Sequence, residues 1–342
     1  MSGIPSMCAV DSTTPPSSGS QLGKPAAALS RALIVIVTAT LILALWISPC
    51  ALARPAGEAQ RAVGIVEQPC AAAPAAPDFK DLRERILDPA AGRDLEPPDP
   101  AVIAAMHAAE EDRVHYDWAS LCRYRAENAA LHRATTPRVV FMGDSITEFW
   151  KVAHPEFFGE GYVDRGVAGQ TTGQMLVRFR QDVLALKPAV VHLMAGTNDI
   201  AGNTGPTTLE AVRNNIASMV DLALANDIRV VLASVPPAGS FPWRPGVSDP
   251  AEHIVELNDW LRRFAHERGL LYVDYHEPLA DERDAMKQTF SNDGVHPNRD
   301  GYSVMEPLAR RAIEQALASA TGEPAARPGA RAKDKNRDSR SR

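Results

Sequence analysis

Cysteine is scarce. Four occur in 342 residues, Cys8, Cys50, Cys70 and Cys122, and their spacing offers none of the close Cys/His pairs that hold zinc. Net positive charge is missing from the body of the chain. The formal net charge is −6; residues 1–53 carry +1 and residues 321–342 carry +4, which leaves −11 across 54–320. Binding nucleic acid needs grouped Lys and Arg against phosphate, so an acidic body argues against it as the main function. The basic run at 321–342 reads as a solvated tail. No internal repeat occurs, which sets repeat arrays aside. What is present is ordinary: 45% hydrophobic and 23% charged residues, enough to bury the core of one sizeable domain with extensions.

Residues 1–30 are rich in Ser, Pro, Gly and Ala. Arg31 then precedes an apolar run from Ala32 to Ile47, broken by Ser48 and Pro49 and followed by Ala51-Leu52-Ala53. A cation, an apolar core, a breaker and a small-residue site describe a secretory leader. The run is short for a membrane span, which takes about 20 residues. Residues 1–53 are therefore expected to be a cleaved signal peptide, placing the protein in the periplasm or outside the cell. The alternative is a retained anchor over 32–53, which would be the only membrane contact. In an oxidising compartment the two cysteines left in the mature chain pair, giving an expected Cys70–Cys122 disulfide. Residues 54–77, ending in Ala71-Ala-Ala-Pro-Ala-Ala-Pro77, read as a linker. Residues 78–135 carry amphipathic helical stretches at Ala101–Glu111 and Trp118–Leu131 without a chemical motif, and form an accessory helical segment.

From 136 to 320 the pattern changes. Arg138-Val-Val-Phe-Met-Gly143 is a short apolar run rich in β-branched residues, the signature of a buried strand. Tyr162-Val163-Asp164 is a weaker strand. Ala189–Met194, Ile228–Ala233 and Leu270–Asp274 complete five. Helical patterns lie between them at about 171–186, 207–226 and 252–268, with a last one at about 300–319. Alternating strands and helices give a parallel sheet covered on both faces, a three-layer α/β/α sandwich. In such a fold the chemistry sits beyond the C-terminal ends of the strands.

Four segments fall there. The first strand runs into Gly143-Asp144-Ser145-Ile146-Thr147, which presents Ser145 at a helix start where N–H groups favour negative charge. The second is followed by Arg165-Gly166-Val167-Ala168-Gly169-Gln170-Thr171-Thr172, where Gly169 allows close backbone approach. The third ends in Ala195-Gly196-Thr197-Asn198-Asp199, and the Asn198 amide can donate to an oxyanion. Before the last helix lies Ser291-Asn292-Asp293-Gly294-Val295-His296-Pro297-Asn298. A serine needs an adjacent base to act as a nucleophile, imidazole serves near neutral pH, and a carboxylate on the other ring nitrogen fixes the tautomer. Each segment alone also fits a plainer reading. Ser145 fits an N-cap, Asn198 a polar turn, Thr171 or Thr172 a cap after a loop, and Asp-x-x-His a surface loop. Their convergence on one sheet edge is what points to catalysis.

Together these residues resemble the SGNH hydrolase superfamily, the GDSL-type esterases and lipases, over about 137–318. Ser145, Gly169, Asn198 and His296 match the four residues that name it, and Asp293 matches its acid. The resemblance implies a flavodoxin-like five-stranded sheet in order 2-1-3-4-5. It also implies a Ser145–His296–Asp293 triad, an oxyanion hole of the Ser145 N–H, the Gly169 N–H and the Asn198 side chain, and no metal or organic cofactor. No glycine follows two residues after Ser145, so the nucleophile elbow of α/β-hydrolases is excluded. Asp164-Arg165-Gly166 departs from relatives that carry Asn in the first place.

The expected activity is serine esterase hydrolysis of short acyl or acetyl esters. The alternatives are a lysophospholipase or lipase on longer chains, an acyltransferase using the same residues, and a catalytically silent binding protein. Substrates would be small-molecule, carbohydrate or lipid esters. Phe241, Trp243 and Arg244, in a Pro-rich stretch after the fourth strand, fit either a cleft wall or a packed loop. His192, inside a strand, reads as a core histidine, while His154, His253 and His276 have no evident partner.

Overall fold

The computed structural model describes residues 64–65, 67, 69–72, 80–91, 100–134, 138–159 and 161–318. The expected leader, the 32–53 segment, most of the 54–77 linker and the basic tail lie outside the described residues. Among the described residues no helix is long and apolar enough to cross a membrane.

In chain order, helices α1 (Lys80–Leu87), α2 (Pro100–Tyr116) and α3 (Arg125–Ala134) precede β1 (Val139–Gly143), α4 (Ser145–Ala153), β2 (Tyr162–Gly166), α5 (Thr172–Asp182) and β3 (Val190–Leu193). Then follow α6 (Thr197–Ile200), α7 (Leu209–Leu224), β4 (Arg229–Ala233), α8 (Pro250–Arg268), β5 (Leu271–Val273), α9 (His276–Leu279) and α10 (Arg299–Ala318). The five strands pair in parallel in the order β2-β1-β3-β4-β5, as the resemblance implied. Val139 of β1 lies beside Tyr162 and Val190, so neighbouring strands end level and bring their following loops to one edge.

The apolar runs are continuous because both faces of the sheet are covered. Val140, Met142, Val191, Leu193, Val230 and Leu232 pack with α5, α7 and α8. Val139, Phe141, Val190, Val231 and Val273 pack with α4, α10 and the Ile86–Leu87 end of α1. Each fully buried residue of this kind contributes about 1.5–3 kcal/mol. His192 belongs to the second group. Its Nε2 pairs with the Tyr275 hydroxyl at 2.9 Å, and burial pushes its pKa down to about 3. It is a neutral core residue.

Local chemistry sets the helix ends. Asp144 caps α4 by accepting from the Ile146 N–H at 2.9 Å. Thr171 and Gln174 form a capping box on α5. Pro250 opens α8 and Gly269, at φ +64°, closes it. The helix expected over Trp118–Leu131 instead begins at Arg125. The Asp117 carboxylate takes the Leu121 and Cys122 N–H groups, each at 2.8 Å, and Ser120 is left-handed at φ +55°. This side-chain turn competes with helix over 117–124. Within it, Cys122 is joined to Cys70 by a disulfide.

The close packing of β2 against α4 depends on Gly166. A methyl group there would run into the backbone of Asp144 and Glu148. Gly166→Ala is expected to destabilise the protein by about 1–3 kcal/mol through overpacking, read as a lowered midpoint of urea unfolding with an unchanged slope. A midpoint equal to wild type would show that α4 can retreat from β2 at no cost.

Candidate active site

Ser145 begins α4 directly beyond β1, with its side chain 6% exposed. Its Oγ lies 2.9 Å from His296 Nε2, and His296 Nδ1 lies 2.6 Å from Asp293 Oδ2. The loop carrying the pair is built around Asp293. Its Oδ1 accepts from the backbone N–H groups of Val295 (2.9 Å) and His296 (2.8 Å) and from the Ser291 hydroxyl (3.2 Å). Those three donors hold one carboxylate oxygen and leave the other for the imidazole. Burial opposes ionisation of Asp293, but the charge and hydrogen bonds of His296 outweigh it and hold the carboxyl down to about 2. Burial likewise opposes the imidazolium, and Asp293 overrides it, so the His296 pKa is raised above the ordinary value.

The N–H groups of Ser145 and Gly169 have no acceptor among the described residues. Gly169 is at φ +79°, and a Cβ there would meet only the Asn203 amide nitrogen at an ordinary 3.8 Å, so glycine is favoured there by backbone conformation rather than by room. Asn198, in α6, donates from Nδ2 to Asp144 Oδ2 and to the Gln170 carbonyl, both at 3.1 Å. Asp144 is buried, and desolvation lifts its carboxyl to about 6 against the Ile146 bond and the nearby His296. Ser145, Gly169, Asn198, Asp293 and His296 all line one open cleft of about 1700 Å³.

The loop after β4 supplies one wall of the cleft. Trp243 and Arg244 line it, whereas Phe241 is buried in the core with its ring 5.4 Å from that of Trp243. The imidazole of His296 has Phe149 at 5.2 Å and Trp243 at 5.9 Å, centroid to centroid. Among the described residues one set of potential metal ligands lies close together, His154, Glu156 and Glu306, within 4.8 Å. Glu306 is already paired with His154 Nδ1 at 2.8 Å and with Arg310 at 2.8 Å. The partner of His154, not evident in the sequence, is thus Glu306.

The model of the GDSL-like lipase/acylhydrolase family matches residues 141–304. A GDSL-like lipase of known structure from Bacteroides thetaiotaomicron is 46% identical, covering 59% of this chain and 100% of its own, with a TM-score of 0.57. The chain belongs to this family. A protein of known structure from Bacteroides fragilis matches similarly, at 45% identity over 59% of this chain and 99% of its own, with a TM-score of 0.57. A multidomain esterase from Ruminococcus flavefaciens is 25% identical over 141 residues, 40% of this chain; the match spans only 17% of that protein's length. As a GDSL-like acylhydrolase, the chain is an ester-hydrolysing enzyme.

Several residues that hold this hydrolase's site carry no signal in the sequence. Arg178 of α5 is fully buried, bonded to Asp182 (3.1 Å), to the Gly143 carbonyl (3.0 Å) and to Gln170, and so ties two site loops together. The accessory segment braces the Gly166–Gly169 loop. Tyr124 donates to the Gly166 carbonyl, the Gln170 side chain donates to the Ala119 carbonyl at 2.9 Å, and Arg165 binds Asn128 while lying 4.5 Å over the Tyr124 ring. The unusual Asp164 caps the Gly166 N–H at 2.7 Å, and burial raises its pKa to about 7. At the other side, Asn292 donates to the carbonyls of Arg85, Ile86 and Asp88 at the end of α1, at 2.6–3.1 Å. That contact seats the Asp293–His296 loop on the N-terminal extension.

Proposed function

We propose that the chain is a serine esterase in which Ser145 is the nucleophile, His296 the general base and Asp293 the residue that orients it. The carrying observation is the unbroken pair of hydrogen bonds from Ser145 Oγ through the His296 ring to Asp293, 2.9 and 2.6 Å long. His296 takes the serine proton as Oγ attacks the ester carbonyl. The oxyanion is received by the Ser145 and Gly169 N–H groups and by a share of the Asn198 amide, whose hydrogens otherwise rest on Asp144 and Gln170. His296 then protonates the leaving alcohol and activates the water that releases the acid.

The substrate reading is a short acyl ester, with an acetylated carbohydrate as the favoured class. It is supported by an open cleft lined by Trp118 and Trp243 together with polar groups that include Arg83, Arg244 and Asn292. Flat apolar faces edged by hydrogen-bonding groups suit a sugar ring. The Cys70–Cys122 disulfide supports an oxidising compartment, hence export. The test is release of nitrophenol from acetate, butyrate, octanoate and palmitate esters by residues 54–342. A fall of about 10-fold or more from acetate to octanoate is expected. A preference for octanoate or palmitate would replace the reading with a lipase or lysophospholipase.

A further inference from the structure

Three hydrogen-bonded side chains lead from the cleft wall into the donor side of the site. Trp243 Nε1 donates to Asn203 Oδ1 at 3.0 Å. Asn203 Nδ2 donates to Asn198 Oδ1 at 2.8 Å and to the Gly169 carbonyl at 3.1 Å. The Asn203 backbone N–H also closes the turn after α6 onto the Asn198 carbonyl at 3.0 Å. Asn203 therefore touches two of the three oxyanion-donor residues and no member of the triad.

The direction of this relay is set by chemistry. An indole nitrogen donates and never accepts. Facing it, Asn203 has to present its oxygen, which turns its amide nitrogen toward Asn198 and Gly169. Asn198 must then present its oxygen to Asn203, and its own nitrogen faces the Asp144 carboxylate and the Gln170 carbonyl, both acceptors. Reversing either amide would set N–H against N–H at one end and oxygen against oxygen at the other, leaving both ends unpaired. Trp243 is the fixed donor at the cleft end of the series, as the Gly169 and Gln170 carbonyls and the Asp144 carboxylate are its fixed acceptors, and it lines the cleft and lies against the ring of His296.

We propose that Trp243 and Asn203 are positioning residues for the hydrolytic reaction: the indole N–H fixes the Asn203 amide, which in turn fixes the Asn198 amide and the Gly169 loop in the orientation that receives the oxyanion. This rests on the serine esterase reading above. It gives the loop after β4 a role in rate as well as in substrate binding, because its seating on Asn203 governs the donors.

The experiment compares Asn203→Ala, Asn203→Asp, Trp243→Phe and the Asn203→Ala/Trp243→Phe double variant with wild type on nitrophenyl acetate. Asn203→Ala lowers kcat by about 10–100-fold, less than the 10²–10³ lost when a donor is removed outright, while KM stays within about two-fold. Asn203→Asp keeps the size and the acceptor but loses the donor, and falls by a similar factor. Trp243→Phe keeps the ring and loses the N–H; kcat falls and KM holds. The double variant is no slower than Asn203→Ala, because Trp243 acts through Asn203. Inhibition by phenylboronic acid, which adds to an activated serine as a tetrahedral anion, weakens in proportion to kcat in every variant. Three results overturn the proposal: a rise in KM at unchanged kcat, losses that multiply in the double variant, or boronate inhibition that does not follow kcat. Thermal midpoints within a few degrees of wild type for Trp243→Phe and Asn203→Asp separate these outcomes from misfolding. If wild type itself hydrolyses no ester, the esterase reading fails; if wild type is active and Asn203→Asp matches it, only the relay fails.

Discussion

Ser145→Ala is expected to leave a folded protein whose turnover of nitrophenyl acetate is below about a thousandth of wild type. The fold has little at stake in this hydroxyl. Its hydrogen-bond partner is His296, the cap of α4 is Asp144, and alanine is an excellent residue for the first turn of a helix. The stability change is therefore within about 1 kcal/mol, and the unfolding midpoint reports it. The chemistry has everything at stake. Removing a serine nucleophile from such a triad costs on the order of 10⁶ in kcat, with a residue of catalysis left by the oxyanion donors. Steady-state rates of the variant, purified free of wild type, together with labelling by a fluorophosphonate probe, measure the loss. Turnover above a thousandth of wild type would mean that another group attacks the ester. Labelling of wild type without ester hydrolysis would instead indicate an activated serine whose acyl acceptor is an alcohol, as in the acyltransferase reading.

The parts of this molecule that were legible in the sequence are those governed by short-range pattern. Arg138–Gly143, Ala189–Met194 and Ile228–Ala233 read as buried strands because a parallel sheet covered on both faces leaves no polar alternation, and they are β1, β3 and β4 to within a residue. Ser145, Gly169, Asn198, Asp293 and His296 line one cleft because each sits beside a strand end or helix start that the pattern had already placed. What escaped notice is held by side chain to backbone bonds between distant segments. Asn203 looks like one more polar residue in Gly202-Asn203-Thr204-Gly205, and only the approach of Trp243, forty residues on, gives it a task. Asn292 appears in the sequence merely as the neighbour of Asp293, yet it collects three carbonyls from α1, more than 200 residues earlier. Phe241 and Trp243 differ by two positions, and their separation into core and cleft wall follows from the path of the loop, which hydrophobicity alone does not encode. The accessory segment carries no motif because its work is mechanical: its turn carbonyls and the Tyr124 hydroxyl support the loop that ends in Gly169.

Asp293→Asn carries the second large effect, and the surroundings of Asp293 dictate its direction. Oδ1 receives three donors, the Val295 and His296 N–H groups and the Ser291 hydroxyl. In the variant, the amide oxygen must keep that place, since an amide nitrogen there would face three donors. The NH₂ group is then turned toward His296 Nδ1. The imidazole answers by accepting at Nδ1 and carrying its proton on Nε2, the nitrogen that faces Ser145, so it can no longer take the serine proton. A fall in kcat on the order of 10⁴-fold is expected with little change in fold. The pH profile gives an independent reading. In wild type the base must be neutral, and Asp293 raises the His296 pKa above the ordinary value of about 6.5. Activity is therefore present above the raised pKa and lost as pH falls through it, with a midpoint of kcat/KM on the alkaline side of 6.5. Asp293 itself, held down to about 2, stays ionised throughout that range and adds no limb of its own. Without the carboxylate, burial, the largest influence on His296, is opposed by Asp144 alone, so its pKa falls and the acid limb of the residual activity moves to lower pH. A variant that keeps wild-type kcat, or an acid limb that does not move, would remove Asp293 from the reaction and leave Ser145 and His296 as a dyad.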